Sequence, residues 1–169
     1  MQIQNSTAGD MDTIFRLYDI ASAYQQSKGV VVWPKFEHSL VETELAENRQ
    51  WKLLIDDAIA CVWATTFSDA EIWEERNKDA AVYIHRIATN PAFRGQNFVG
   101  IIVEWAKQFA KDHQKDFVRL DTLGNNVKLI EHYTKAGFTF LGIHQLIRTT
   151  GLPLHYQKEP NCCLFELSL

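Results

Sequence analysis

The sequence predicts an α/β (α+β) fold in which a mixed, mostly antiparallel central sheet is flanked by helices on both faces. Two observations support this prediction. Several short segments alternate apolar and polar residues, as half-buried strands do, whereas other segments repeat apolar residues at helical spacing. The two kinds of segment follow one another along all 169 residues without a linker or an internal repeat. We therefore expect one domain that spans residues 1–169.

The first half of the chain predicts strands, two helices and a β-hairpin. Cap-type residues at 6–10 precede a stripe of apolar residues at helical spacing, and Gly29 ends that helix. The dipeptide Asp56-Asp57 suits the tight turn of a hairpin. The expected elements are a strand at 1–5, a helix that ends at Gly29, a helix at about 36–48, and strands at 51–55, 58–66 and 81–89, the last preceded by a polar stretch at 68–79.

The second half predicts a central helix among further strands. Apolar residues from Phe98 to Phe109 repeat at helical spacing, and the pattern ends near His113. A shorter helix at 127–135 is stopped by Gly137. Strands are expected at 117–121, 138–147 and 162–167, with a loop around Pro153 before the last of them.

Composition and charge exclude several classes of protein. The formal net charge is −4 and basic residues do not run longer than a pair, so we expect no nucleic-acid partner. Residues 1–10 do not resemble a signal peptide, and apolar runs stay well below the length of about 18 residues that spans a membrane. These observations predict a cytoplasmic protein without a membrane partner.

The cysteines and histidines do not predict a metal centre. Cys61, Cys162 and Cys163 offer neither a disulfide framework nor the spacing of metal ligands. The six histidines are not paired with cysteines or carboxylates at helical or hairpin spacing. We expect buried thiols in a reducing compartment, and no metal.

The segment between the strand at 81–89 and the central helix carries the chemistry. A strand that ends in a short turn opening a helix leaves backbone N–H groups free at the helix N-terminus, where an anion is favoured. Gly95 permits close approach of a ligand, Arg94 adds a fixed positive charge, and Asn97 tolerates positive φ. The spacing alone is compatible with a pyrophosphate site, but it favours a surface turn whose Gly and Asn only satisfy the backbone geometry.

A family resemblance favours the first interpretation. The segment from Ile84 to Pro91, followed by Arg94-Gly95-Gln96-Asn97, resembles the coenzyme A signature of the GNAT (Gcn5-related N-acetyltransferase) superfamily. Asn126, Tyr133 and the pair Gly137-Phe138 resemble the later asparagine, tyrosine and Gly-Phe pattern of the same family. The resemblance implies an N-acetyltransferase, with acetyl-CoA as cosubstrate, that acetylates an amine of a small molecule or a peptide.

The resemblance also assigns residues to the coenzyme: Ile87, Ala88, Thr89, Arg94, Gly95, Gln96, Asn97, Phe98, Val99, Gly100 and Asn126. The family usually has a small residue, most often Gly, where this chain has Asn97 and Val99. Asn97 can keep a positive φ, and Val99 needs only helical dihedrals if it lies in the first turn of the helix. These departures keep open a binding module for acyl-CoA without catalysis, and transfer of a different acyl group is also open.

The resemblance implies direct transfer to a deprotonated amine, with Tyr133 as the acid that protonates the leaving thiolate. His85 is the candidate general base, because its reference pKa allows it to accept a proton near pH 7, and a water chain is the alternative. Asn126 is expected to cap its helix, to contact the pantetheine arm, or both. Arg86 should face the opposite side of the strand from His85, in a structural pair with a carboxylate.

The acceptor pocket of the family is walled by the first two helices and the loop before the signature strand. Here these segments supply Tyr24, Trp33, Phe36 and Trp73, while Tyr83 stands where some members carry a glutamate. Whether these aromatic side chains line a pocket or belong to the core stays open. Members of the family often form homodimers through the C-terminal strands. The resemblance therefore allows a homodimer here, to which residues 164–169 could contribute.

Overall fold

The computed structural model of the chain describes residues 1–147, 149–150 and 152–169. The predicted fold class is confirmed, because the strands form a mixed, mostly antiparallel sheet accompanied by α-helices. The strands are β1 (Gln2–Asn5), β2 (Gln50–Ile55), β3 (Ala58–Thr66), β4 (Ala81–Thr89), β5 (Phe117–Leu123), β6 (Thr139–Gln145) and β7 (Asn161–Ser168). The α-helices are α1 (Met11–Ser27), α2 (His38–Ala46), α3 (Ala70–Trp73), α4 (Phe98–Asp112), α5 (Val127–Lys135) and α6 (Leu154–Lys158).

The strand order across the sheet is β1-β2-β3-β4-β5-β7-β6. The β1–β2, β2–β3, β5–β7 and β6–β7 pairs are antiparallel. β4 and β5 pair in parallel, with Ala81 opposite Phe117. Parallel neighbours need a crossover connection, and α4 supplies it.

Most predicted elements are confirmed to within a few residues. Asp56 and Asp57 have φ values of 48° and 63°, as expected for a tight hairpin turn with two left-handed residues. Gly29 follows the end of α1 with φ of 65°. The short helices α3 and α6 were not predicted, because four or five residues are too few to show helical periodicity.

The described residues group into two compact units. The first unit comprises residues 1–65 and 84–98. Its apolar core consists of Ile14, Leu17, Tyr18, Val41, Val62 and Ala88. A partly buried ion pair also lies in this unit, where Lys52 Nζ pairs with Asp10 Oδ2 at 2.7 Å.

The second unit comprises residues 66–83 and 99–169. Its apolar core consists of Ile72, Trp73, Ala81, Tyr83, Leu146, Leu152, Cys162 and Leu164. The guanidinium of Arg119 on β5 is fully buried here, bonded to Glu166 on β7 at 2.8 Å and to Asp79 before β4 at 2.5 Å. A single charged side chain therefore connects three segments of the unit.

Strand β7 lies between β5 and β6. Phe165 is opposite Leu120 on one side and Phe140 on the other. Both edges of β7 are thus used within the chain. The register with β6 ends at Glu166, whereas the register with β5 continues to Ser168.

The three cysteines are free thiols and buried, as predicted. Burial raises the pKa of the Cys61 thiol to about 12, which keeps it protonated and unreactive near neutral pH. Among the described residues, the helices are too short or too polar for any of them to cross a bilayer.

Candidate active site

The candidate coenzyme site begins with an irregularity inside β4. Arg86 has φ of 52°, a left-handed conformation that an arginine adopts only when its surroundings hold it there. Within the first unit, the Arg86 guanidinium forms an ion pair with the buried carboxylate of Glu44, and its Nε donates to the Tyr18 hydroxyl oxygen at 3.3 Å. The predicted pairing of Arg86 with a carboxylate is confirmed. The backbone of β4 therefore bends immediately before Ile87, Ala88 and Thr89.

The loop after β4 is anchored through Asn90. Its backbone N–H donates to Ala60 O at 2.8 Å, and its side-chain Nδ2 donates to Ile59 O at 3.0 Å. Its Oδ1 accepts the N–H of Ala92 at 3.1 Å, which caps the short 3₁₀ turn that starts at Pro91. One asparagine therefore fixes where the chain leaves the strand.

The turn from Arg94 to Asn97 is exposed and contains two residues in the left-handed conformation. Gly95 has φ of 85° and Asn97 has φ of 50°. All four residues, Arg94 to Asn97, are exposed, and a Cβ added to Gly95 would meet nothing within 4 Å. The backbone at this point is open to a ligand from outside.

Phe98 and Val99 connect this turn to the helix. The Phe98 side chain is buried, 5% exposed, and α4 starts at this residue. Val99 lies inside the first turn, so it needs only helical dihedrals, as predicted. Asn97 thus has a positive φ and Val99 lies in the helix, and the residues present fit a pyrophosphate at a helix N-terminus.

A family model for the acetyltransferase (GNAT) family matches residues 15–138, which is most of the chain and includes the whole candidate site. The chain belongs to this family. The resemblance stated from the two sequence signatures is thereby confirmed.

One curated relative of this GNAT protein is the "Uncharacterized N-acetyltransferase YesJ" of Bacillus subtilis (strain 168), which is 27% identical over 74 residues. That match covers 44% of this chain and 41% of the relative, so the chain spans less than half of the relative's length in this comparison.

Solved structures agree on the fold. A GNAT-family acetyltransferase from Listeria monocytogenes has a TM-score of 0.78 at 20% identity, with 99% of this chain and 94% of that chain covered. YncA from Salmonella typhimurium, a putative acetyltransferase solved with acetyl-CoA, has a TM-score of 0.67 at 11% identity, with 99% and 93% covered. At these identities the likeness shows the fold alone.

Two candidate residues of this GNAT chain lie on α5 in the second unit. Asn126 is the N-cap of α5, where its Oδ1 accepts the N–H of Leu129 at 3.3 Å, so the capping role predicted for it is confirmed. Tyr133 is partly exposed and its ring packs against Phe165 at 5.2 Å and Phe138 at 6.1 Å. The ring is thus fixed by packing on one side while the residue keeps contact with solvent.

His85 lies in the first unit, one residue before the bend in β4. Burial and the guanidinium charges of Arg86 and Arg49 lower its pKa to about 3. The imidazole is therefore neutral near pH 7, which lets it accept a proton. The same low pKa makes it a weak base.

The candidate acceptor residues fall in different surroundings. Trp33 is partly buried and packs edge-on against Tyr18 at 5.9 Å. Trp73 and Tyr83 are 2% and 0% exposed and belong to the core of the second unit. Tyr24, by contrast, is 49% exposed and its ring lies 5.1 Å from the guanidinium carbon of Arg94 in the turn before α4.

Sequence reasoning missed a pair of carboxyl groups inside the second unit. Asp69 precedes α3, Asp121 lies on β5, and one oxygen of each is within 4.8 Å of the other. Burial raises the pKa of both carboxyls, and the charge of Asp121 raises that of Asp69 further. The Tyr156 hydroxyl donates to Asp121 Oδ2 at 2.9 Å. The one signal in the sequence was Asp121, a charged residue at the end of the strand expected at 117–121.

This pair predicts a specific dependence of stability on pH. A raised pKa means that the folded chain holds these protons more tightly than the unfolded chain, whose carboxyls titrate near pH 4. The free energy of unfolding should therefore fall as pH rises from about 5 to 8. Asp121→Asn removes one charge of the pair, so we expect that fall to shrink by about 1–2 kcal/mol, measured by urea unfolding at both pH values.

The control for this experiment is Asp19→Asn, which makes the same chemical change at an exposed position on α1. It should follow the wild type at both pH values. If Asp121→Asn loses as much stability between pH 5 and 8 as the control does, the two carboxyls do not titrate as an interacting pair.

Proposed function

We propose that the protein is an N-acetyltransferase that moves the acetyl group of acetyl-CoA directly onto an amine of a small molecule or a peptide. The observation that supports this most strongly is the exposed turn Arg94–Asn97, with positive φ at Gly95 and Asn97, at the start of α4 in a chain of the GNAT family. A cytoplasmic location, where buried free thiols stay reduced, is part of the proposal.

The proposed reaction is a direct displacement at the thioester carbonyl. The amine nitrogen attacks the carbonyl carbon, so a C–N bond forms and the C–S bond breaks. Backbone N–H groups near Ile87 and Ala88 would stabilise the developing oxyanion. The leaving thiolate takes the proton of the Tyr133 hydroxyl, and the amine gives up a proton to a base.

Two routes for the amine proton belong to the proposal. His85 is neutral and can accept the proton directly. Because its pKa is far below neutrality, it would hold that proton only briefly, and a chain of water molecules to bulk solvent is the second route.

Acetyl-CoA binding tests the proposal. Arg94→Glu reverses the charge beside the expected pyrophosphate, so we expect the dissociation constant measured by calorimetry to rise about tenfold to a hundredfold. Arg16→Glu makes the same change at an exposed position near the start of α1 and should leave acetyl-CoA binding unchanged.

The wild type is then assayed for CoA thiol release from acetyl-CoA against a panel of small-molecule amines and peptide amines. Thiol release that depends on an amine supports the proposed enzyme. Binding without thiol release by any amine would support the acyl-CoA-binding module instead. A wild type that binds no acyl-CoA would show that the turn at 94–97 is a surface turn without a ligand.

A further inference from the structure

The last turn of α1 brings an aromatic ring next to the turn that precedes α4. Tyr24 is followed by Lys28 one helical turn later, and the Lys28 ammonium lies 5.3 Å from the centre of the Tyr24 ring. The Arg94 guanidinium carbon lies 5.1 Å from the same ring. All three residues belong to the first unit and are exposed. One tyrosine therefore holds two cations within cation–π distance.

The charges of Lys28 and Arg94 differ in their partners from those of the buried arginines. Within the part of the chain that the structure describes, Lys28 and Arg94 form no ion pair, whereas Arg86 and Arg119 each contact carboxylates. Both cationic centres lie near one ring, so they are about 10 Å apart or closer and repel each other. In a chain with a net charge of −4, such a pair is not a consequence of a generally basic composition. An anion between or beside them would remove the repulsion.

The position of Lys28 alone has a simpler explanation, which does not extend to Arg94. Lys28 is the C-cap of α1, where a cation interacts favourably with the helix dipole. Arg94 lies in a separate loop, 66 residues later, and its guanidinium nevertheless meets the same ring. The shared contact with Tyr24 is what needs a second explanation.

We infer that Lys28 forms a second phosphate subsite beside Arg94, which binds the 3′-phosphate of coenzyme A, and that Tyr24 positions the two cations. This inference rests on the proposed function. Coenzyme A carries its pyrophosphate and its 3′-phosphate on the same ribose, so both anions can meet cations that lie this close together. A lysine suits the second anion, because it is a compact charge on a flexible stem and can follow a phosphate monoester of charge near −2.

Dephospho-CoA, which keeps the pyrophosphate and lacks the 3′-phosphate, separates this subsite from the pyrophosphate site. Calorimetry with the full chain compares CoA and dephospho-CoA on the wild type and on Lys28→Gln. We expect the wild type to prefer CoA by about tenfold, the size of one charge-assisted contact. Lys28→Gln should lose most of that preference, through weaker binding of CoA and unchanged binding of dephospho-CoA.

Lys111→Gln is the matched control. Lys111 is also an exposed lysine in the last turn of a helix, α4, and the substitution removes the same charge. It lies about 20 Å along α4 from the turn at its start. This variant should keep the full preference for CoA.

Three results would overturn the inference. If Lys28→Gln keeps the wild-type preference for CoA, or weakens the binding of CoA and dephospho-CoA equally, Lys28 does not bind the 3′-phosphate. If the wild type binds both ligands with equal affinity, the subsite does not exist although the proposed coenzyme site does. If the wild type binds neither ligand, the proposed function and this inference fail together.

The positioning role of Tyr24 has its own readout. Tyr24→Phe keeps the ring and should keep the affinity for CoA within about twofold, since cation–π attraction comes from the ring face. Tyr24→Leu removes that face and should lower the affinity for CoA by several fold. Equal effects of the two variants would show that the ring does not position the cations.

Discussion

Replacement of Tyr133 by phenylalanine is expected to lower kcat for acetyl transfer by about 10²- to 10⁴-fold, the contribution of a general acid. The reason is chemical. A CoA thiolate that leaves without a proton is a poorer leaving group, and phenylalanine has no proton to give. Because the missing hydroxyl acts in the transition state, the dissociation constant for acetyl-CoA should stay near the wild-type value.

The structure makes this variant a clean test of chemistry. The contacts of the Tyr133 ring with Phe165 at 5.2 Å and Phe138 at 6.1 Å involve its aromatic face and edge, which phenylalanine keeps. We therefore expect the second unit of the variant to fold, and its thermal midpoint checks this. Calorimetry with acetyl-CoA and thiol-release kinetics on the same sample separate binding from catalysis.

The pH profile distinguishes an acid from a merely structural tyrosine. If Tyr133 donates the proton, the pH profile of kcat should differ in shape between the wild type and Tyr133→Phe, because the variant lacks the acid. A variant with wild-type kcat, or one that loses activity at all pH values together with its affinity for acetyl-CoA, would contradict the assigned role.

Features fixed by local backbone chemistry could be predicted from the sequence. Positive φ at Gly95, and its tolerance by Asn97, follow from the residue types, and so does the hairpin at Asp56-Asp57. The cap at Asn126 is likewise a local preference, with its partner three residues away. Each of these features requires only a few neighbouring residues.

Features set by distant partners could not be predicted. Arginine has no intrinsic preference for positive φ, yet Arg86 has a positive φ. Its side chain contacts Glu44, which lies 42 residues earlier in the chain. Asp69 and Asp121 approach each other across 52 residues of chain. The contact of the Tyr24 ring with Arg94 was not predicted either, because the direction of a side chain on the last turn of a helix depends on what packs there.

Arg119→Met is expected to destabilise the protein by about 3–5 kcal/mol, the cost of removing one partner from a buried ion pair. Glu166 is only 15% exposed in its side chain, so its carboxylate would be left without a counter-charge. The acceptor Arg76 O, now at 2.6 Å from the guanidinium, would lose its donor as well. Asp79 contributes less, because its side chain is 44% exposed and water can replace the arginine.

The size of the loss should be visible as a fall in the thermal midpoint of about 6–20 °C for a chain of this length. Arg76→Met is the matched control, because Arg76 is exposed and only its backbone oxygen contacts Arg119. That variant should stay within about 0.5 kcal/mol of the wild type.

A second substitution tests the cause of the loss. If the penalty comes from an uncompensated carboxylate, Glu166→Gln added to Arg119→Met should recover part of the stability, since a neutral amide costs less to bury than a charge. Equal stability of the single and double variants would contradict this explanation. The loss of stability would then come from the packing of the guanidinium against Trp73 and Phe117, and not from its charge. The centre of each of these rings lies 4.8 Å from the guanidinium carbon of Arg119.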